Sequence, residues 1–171
     1  MLGSELGGCR LKVMDAGPFE TAYANDFPTV TQLSVFFDNR IGQFLRLTRL
    51  FENTDIRILA LSVVNSVDCG IVRMIVDDPD SAYDLLVSSG FAVNQTDILV
   101  VSLPHGKRAL LHTWVALLSA ELNVAYAYAL LSQPNGQSAL AVQSDQLEQA
   151  AEALQHKGFA VLDQSDLARH D

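Results

Sequence analysis

Positive charge is scarce in this chain: 11 lysines and arginines stand against 20 aspartates and glutamates in 171 residues, a formal net charge of −9. A surface of that sign repels phosphate backbones and anionic headgroups, which argues against nucleic acid and membrane surfaces as partners. No apolar run approaches the length of a bilayer span, and the N-terminus lacks a basic stretch followed by an apolar core. The expectation is therefore a soluble, cytoplasmic protein. Cysteine is nearly absent; Cys9 and Cys69 are the only ones, too few for a disulfide framework or a CxxC metal pair. Cys69 reads as a small, partly buried side chain rather than a reactive thiol. The four histidines, His105, His112, His156 and His170, form no pair at ligand spacing on one element, so no metal and no cofactor is expected. No serine sits in an elbow-type turn and no glycine-rich loop could cradle phosphate, so no catalytic residue is expected either.

What the chain does have is apolar residues in two different periods. They make up 49% of the composition against 18% charged, enough to bury a core and too apolar for wholesale disorder. Residues 1–28 hold several glycines, two prolines and no sustained period, and read as a mobile leader. From there the pattern is strand at 31–37, helix at 41–53, strand at 56–65, turn at 66–70, strand at 71–77, helix at 79–89 and strand at 91–94. In the first strand Leu33, Val35 and Phe37 alternate with Gln32, Ser34 and Asp38. In the first helix Ile41, Phe44, Leu45, Leu47, Leu50 and Phe51 fall on one side and Arg46, Arg49 and Glu52 on the other. Asp77, Asp78 and Pro79 open the second helix as acidic caps followed by a proline that loses nothing there, and Gly90 closes it.

The same βαββαβ order then starts again, with strands at 98–103, 124–131 and 138–143, helices at 109–120 and 147–156, and a return strand at 158–161. An offset of 66 lays Leu33, Val35 and Phe37 on Leu99, Val101 and Leu103. Past a longer second hairpin the offset becomes 68, which superposes Gly90-Phe91-Ala92-Val93 on Gly158-Phe159-Ala160-Val161. A period this long is a duplicated domain. The expected fold class is α+β: two ferredoxin-like repeats, 29–96 and 97–167, pairing into one antiparallel sheet with helices on one face, and a tail at 168–171. Both faces of the central strands are apolar. Phe36, Leu59, Leu61, Val63, Ile71 and Ile75 in the first repeat, and Ala125, Ala127, Ala129 and Ala139 in the second, predict a covered sheet face. A homodimer through the sheets or burial under the leader would cover it.

The turn Asp38-Asn39-Arg40-Ile41-Gly42-Gln43 after a strand, the second-repeat segment from Glu121 to Ala129 and the two Gly-Phe-Ala-Val returns resemble the ACT domain. Over 29–167 the chain is similar to stand-alone tandem ACT proteins with no catalytic domain. It differs in having Ile41 where the family usually has proline, and Lys107-Arg108 where the first turn has Ile41-Gly42. The resemblance implies regulatory binding of a small molecule, usually an amino acid, at the interface between paired domains, with readout by a protein partner. The alternative from another class is a structural or protein-interaction module with the same fold and no ligand site.

A helix N-terminus preceded by glycine suits a carboxylate, because its amides are unpaired and no Cβ blocks the approach. Neighbouring strand carbonyls and an asparagine suit an ammonium group. Side-by-side pairing predicts a first site from Asp38, Asn39, Ile41, Gly42 and Gln43 with Asn123 and Val124. Asp38 and Asn39 serve equally well as helix caps. A second, weaker site would combine His105, Gly106 and Lys107 with Asp55 and Ile56, filled in part by an ion pair from Lys107 or Arg108 to Asp55.

Overall fold

A computed structural model of the chain describes residues 27–38, 42–65 and 69–168. The order is β1 (Val30–Asp38), α1 (Gln43–Leu50), β2 (Ile58–Asn65), β3 (Cys69–Val76), α2 (Pro79–Ser88), β4 (Ala92–Ser102), α3 (Ala109–Leu118), β5 (Val124–Ala129), β6 (Ala139–Ser144), α4 (Leu147–His156), β7 (Val161–Leu162) and α5 (Gln164–Ala168). The strands form one antiparallel sheet in the order β2-β3-β1-β4-β6-β5, with β7 also on β4. The two-repeat α+β fold expected from the sequence is the fold observed.

The repeats are joined by β4 itself. Its first part pairs with β1, from Phe36 opposite Ala92 to Val30 opposite Ile98. Its last part pairs with β6, from Leu99 opposite Val142 to Ser102 opposite Ala139, and with β7 at Val100 and Val101. One strand thus closes the first repeat and opens the second, where the sequence suggested two strands. The polar segment between them (Asn94, Gln95, Asp97) is exposed yet extended, because its backbone is held by β1. The expected boundary at 96–97 falls within this strand. The leader's residues 1–26, and those of the turn at 66–68, lie outside the described residues.

Alternation along the strands sorts side chains to two faces. On the outer face Leu33, Val35, Val72 and Met74 pack under α1 and α2 with Leu47, Ala82 and Leu86. Leu99, Val101, Leu140 and Val142 pack under α3 and α4 with Leu117 and Leu154. The inner faces meet each other. Val30, Leu59, Ile75 and Ile98 share one buried cluster with Val100, Ala139, Ala141 and Leu162. The sheet curls far enough for β2 to reach the end of β5: Ala60 bridges Leu130 and the Leu131 amide donates to the Leu59 carbonyl at 2.7 Å. This corrects the expected covering of the apolar sheet face. The other repeat covers Leu59, Ile75 and Ala139 within the same chain, while Val63 stays exposed.

Register also departs from simple alternation. Irregularities lie between Ile58 and Ala60 in β2 and between Val124 and Tyr126 in β5. Each shifts the following residues to the opposite face. Leu61 therefore packs with the helices, and Tyr126 and Tyr128 turn inward in place of the alanines. The two irregularities are again 66 residues apart (124 − 58 and 126 − 60), so the duplication extends to backbone detail.

The interior carries one polar knot. Gln32 is fully buried; its Nε2 donates to the Tyr126 hydroxyl at 2.9 Å and the Ser34 Oγ at 3.2 Å, and its Oε1 accepts from the Tyr128 hydroxyl at 2.9 Å. Arg73 stacks over the Tyr126 ring at 4.1 Å. Burial, then the neighbouring Tyr126, pushes the Tyr128 phenol above the usual tyrosine range, against a smaller opposing effect of Arg73. It stays a neutral donor. The C-terminal α5, unanticipated from sequence, ties the repeats again: Gln164 accepts from the Thr31 amide and donates to the Val76 carbonyl. Cys69 is half-buried, as expected, and is disulfide-bonded rather than a free thiol.

Candidate functional site

The two strand-to-helix turns occupy equivalent places in the repeats and share a local design. In the first, Gly42 precedes α1 with φ 91°, is exposed, and gives α1 no side-chain cap. That φ is one that L side chains rarely adopt, while a Cβ added there would meet open space, so glycine is kept for its backbone conformation. Asn39 and Ile41 lie outside the described residues.

In the second turn Gly106 has φ 123°, and α3 likewise begins without a side-chain cap. The Ala109 amide turns back to the Gly106 carbonyl at 3.3 Å and the His112 amide to Arg108 at 2.9 Å. The Leu110 and Leu111 amides between them have no acceptor among the described residues. By contrast α2 closes its own start: the Asp78 carboxylate accepts from the Ser81 amide at 3.1 Å and the Ser81 hydroxyl at 2.6 Å, which holds the Asp78 pKa below the usual range. An open helix start attracts negative charge; a capped one has spent it.

Two adjoining clefts border the second turn. One, of about 390 Å³, is lined by His105, Gly106, Lys107, Leu110, Gln133 and Ser138 among others. The other, of about 360 Å³, shares Pro104 and adds Ser102, His112, Gln137, Lys157 and Phe159. Ser102 donates to the Gln137 Oε1 at 2.6 Å, and Lys157 bonds the Ser119 hydroxyl. Lys107 lies before the N-terminus of α3, while the Lys157 ammonium sits at the other end of that helix on Ser119. Gln133, Gln137 and Lys157 were not legible as site residues, since they come from a hairpin and a helix end far along the sequence.

The strand partners expected for these turns lie elsewhere. Val124 pairs with Ser144, whose Oγ donates to the Asn123 carbonyl at 3.0 Å. In the sheet β4 and β6 stand between β5 and β1, and no hydrogen bond among the described residues joins Gly42 or Gln43 to Asn123 or Val124. Asp55 and Ile56 line a separate acidic cleft of about 330 Å³ with Asp77, Asp78 and Ser81. No ion pair among the described residues links Asp55 to Lys107 or Arg108; Arg57 instead pairs with Asp77 at 3.0 Å. The repeats meet through a shared strand and their inner faces, and that separates residues a side-by-side pairing would bring together. Among the described residues no cluster of three or more His, Cys, Asp or Glu side chains could hold a metal ion, and no helix is long and apolar enough to cross a membrane.

Comparison with known proteins places this geometry. A family model described as an ACT domain pair matches residues 28–170. A Bacteroides thetaiotaomicron protein of known crystal structure is 30% identical, with a TM-score of 0.75 over 84% of this chain and 99% of that one. The ligand-free regulatory subunit of aspartate kinase from Thermus thermophilus is 14% identical, with a TM-score of 0.52 over 81% of this chain and 98% of that one. The corresponding subunit from Thermus flavus gives 14% and 0.52 over 77% and 93%. No curated protein matches the chain by sequence.

Proposed function

The chain belongs to the ACT domain pair family, and from that premise we propose a non-catalytic regulatory protein of the cytoplasm that binds a small zwitterion, an amino acid by preference, and passes the signal to a protein partner. One observation carries the proposal: the Leu110 and Leu111 amides at the start of α3 have no acceptor among the described residues, and Leu110 and Lys107 line one cleft there. A carboxylate there would accept from the amides and lie beside the lysine. Gln133 and Ser138 line the same cleft, and a side-chain oxygen of either would suit the ammonium end. The first turn, through Gly42 and Gln43 with Asp38, Asn39 and Ile41, is the candidate second site, with Asn123 and Val124 contributing only if the ligand draws them in. The fold shared with the aspartate kinase regulatory subunits supports a regulatory role.

The test is a thermal-shift and calorimetry screen of the full chain against the twenty amino acids. A ligand at a hundred times its dissociation constant stabilises by about 2.7 kcal/mol. Lys107→Glu should weaken binding by about tenfold, while Gly42→Ala leaves it unchanged. Loss of binding in the Gly42 variant alone would move the site to the first turn. The second reading, an interaction module without a ligand, is favoured by the exposed apolar side of α3. Silence from every amino acid would select it.

A further inference from the structure

The composition of α3 disagrees with its exposure. Ala109–Leu118 contains no Asp, Glu, Lys or Arg, and Leu110, Leu111, Val115 and Leu118 are 48%, 56%, 52% and 66% exposed. A helix with no ionisable side chain but His112 to face water is ordinarily covered on most of its sides. One side is covered, because Ala116 and Leu117 fill the core shared with α4. On the opposite side Leu111, Val115 and Leu118, at helical spacing, form a stripe on the surface.

The duplication supplies an internal control. At the offset of 66, Arg49 and Glu52 of the first repeat stand where Val115 and Leu118 stand in the second. Both are exposed. The same fold is therefore satisfied with charge at these two positions, and packing within a repeat does not account for Val115 and Leu118.

We propose that the α3 stripe is the interface to a second copy of this chain, with the two α3 helices antiparallel across a two-fold axis. Charge at the helix ends selects this occupant. Arg108, with Lys107 beside it, precedes α3 and Glu121 follows it, all exposed. Antiparallel packing sets Arg108 of each protomer beside the partner's Glu121, whereas a parallel pair would set like against like. Elsewhere a surface of net −9 repels its own copy, while α3 offers an uncharged stripe closed at each end by an Arg108–Glu121 pair of opposite charge. Leu110 also lines the second-turn cleft, so the seam runs along the edge of the candidate site. The interface itself does not depend on what that cleft binds.

Sedimentation equilibrium of the full chain at micromolar concentrations tests this. The expected mass is twice 18.6 kDa, falling to the monomer in Val115→Lys and in Leu118→Lys, both surface changes that leave the circular dichroism and melting of the monomer intact. Arg108→Glu alone and Glu121→Lys alone should each dimerise about tenfold more weakly, since each reverses two pairs. Mixed together, the two variants should recover wild-type affinity, because the mixed dimer has every pair attractive again. A monomeric wild-type chain would overturn the proposal, and so would a dimer that survives both lysine variants. Failure of the mixture to recover would overturn the antiparallel arrangement.

Discussion

Tyr128→Phe is the sharpest probe of how the two repeats hold together. The Tyr128 hydroxyl from the second repeat donates to the Oε1 of Gln32 in the first at 2.9 Å, and Gln32 is fully buried. Removing that donor leaves a buried carbonyl oxygen without this partner, a loss of about 1–3 kcal/mol. Tyr126→Phe costs less, about 0.5–1.5 kcal/mol, because the Gln32 Nε2 keeps its bond to Ser34 and Arg73 keeps a ring to stack on. Combining Tyr128→Phe with Gln32→Leu removes donor and acceptor together, so the double variant should lose clearly less than the sum of its parts. Urea unfolding of the four proteins, followed by tyrosine fluorescence and circular dichroism to check two-state behaviour, gives the cycle. The raised pKa of Tyr128 adds a second readout. A phenol that ionises less readily when folded contributes stability that is complete below the ordinary value near 10 and is lost as pH rises above it. Tyr128→Phe should abolish that alkaline loss. A Tyr128→Phe cost no larger than that of Tyr126→Phe, together with an additive cycle, would refute the polar knot as an inter-repeat tie.

Three further outcomes follow from local geometry. The lowered pKa of Asp78 means that its cap contributes stability above the ordinary range near 3.8 and loses it as pH falls through the folded value, so Asp78→Asn should flatten the acid limb of a melting-temperature profile. A Cβ at Gly70 would collide with the Phe37 ring; Gly70→Ala should cost about 1–3 kcal/mol in chemical denaturation, with partial recovery on adding Phe37→Leu. A fragment of residues 27–96 would cut β4 in two and bare Val30, Leu59 and Ile75, so it should show little cooperative unfolding by circular dichroism. A stable monomer of that fragment would mean that the repeats do not need each other.

Much of the architecture was legible because periodicity reports which face of an element is buried. The alternation of Leu33 with Val35, repeated in Leu99 with Val101 at an offset of 66, places all four under helices. The cap at Asp78 and the full extent of α4 were equally readable, since they depend on neighbours within a turn or two. The two glycines before α1 and α3 were readable for the same reason; their positive φ is a local demand. The fusion of two expected strands into β4 was not readable, because the exposed Asn94, Gln95 and Asp97 look like a loop until β1 supplies their backbone partners. The inward turn of Tyr126 and Tyr128 was hidden by an irregularity that alternation cannot register. Partnership across the repeats was decided only in three dimensions. The curl of the sheet joins inner face to inner face, brings Gln133 and Ser138 to the second turn beside Lys107, and sets Asp55 in another cleft. Local sequence specifies which groups a turn or a strand presents; which distant groups they meet depends on how a sheet curls, and that is settled by the packing of the whole chain.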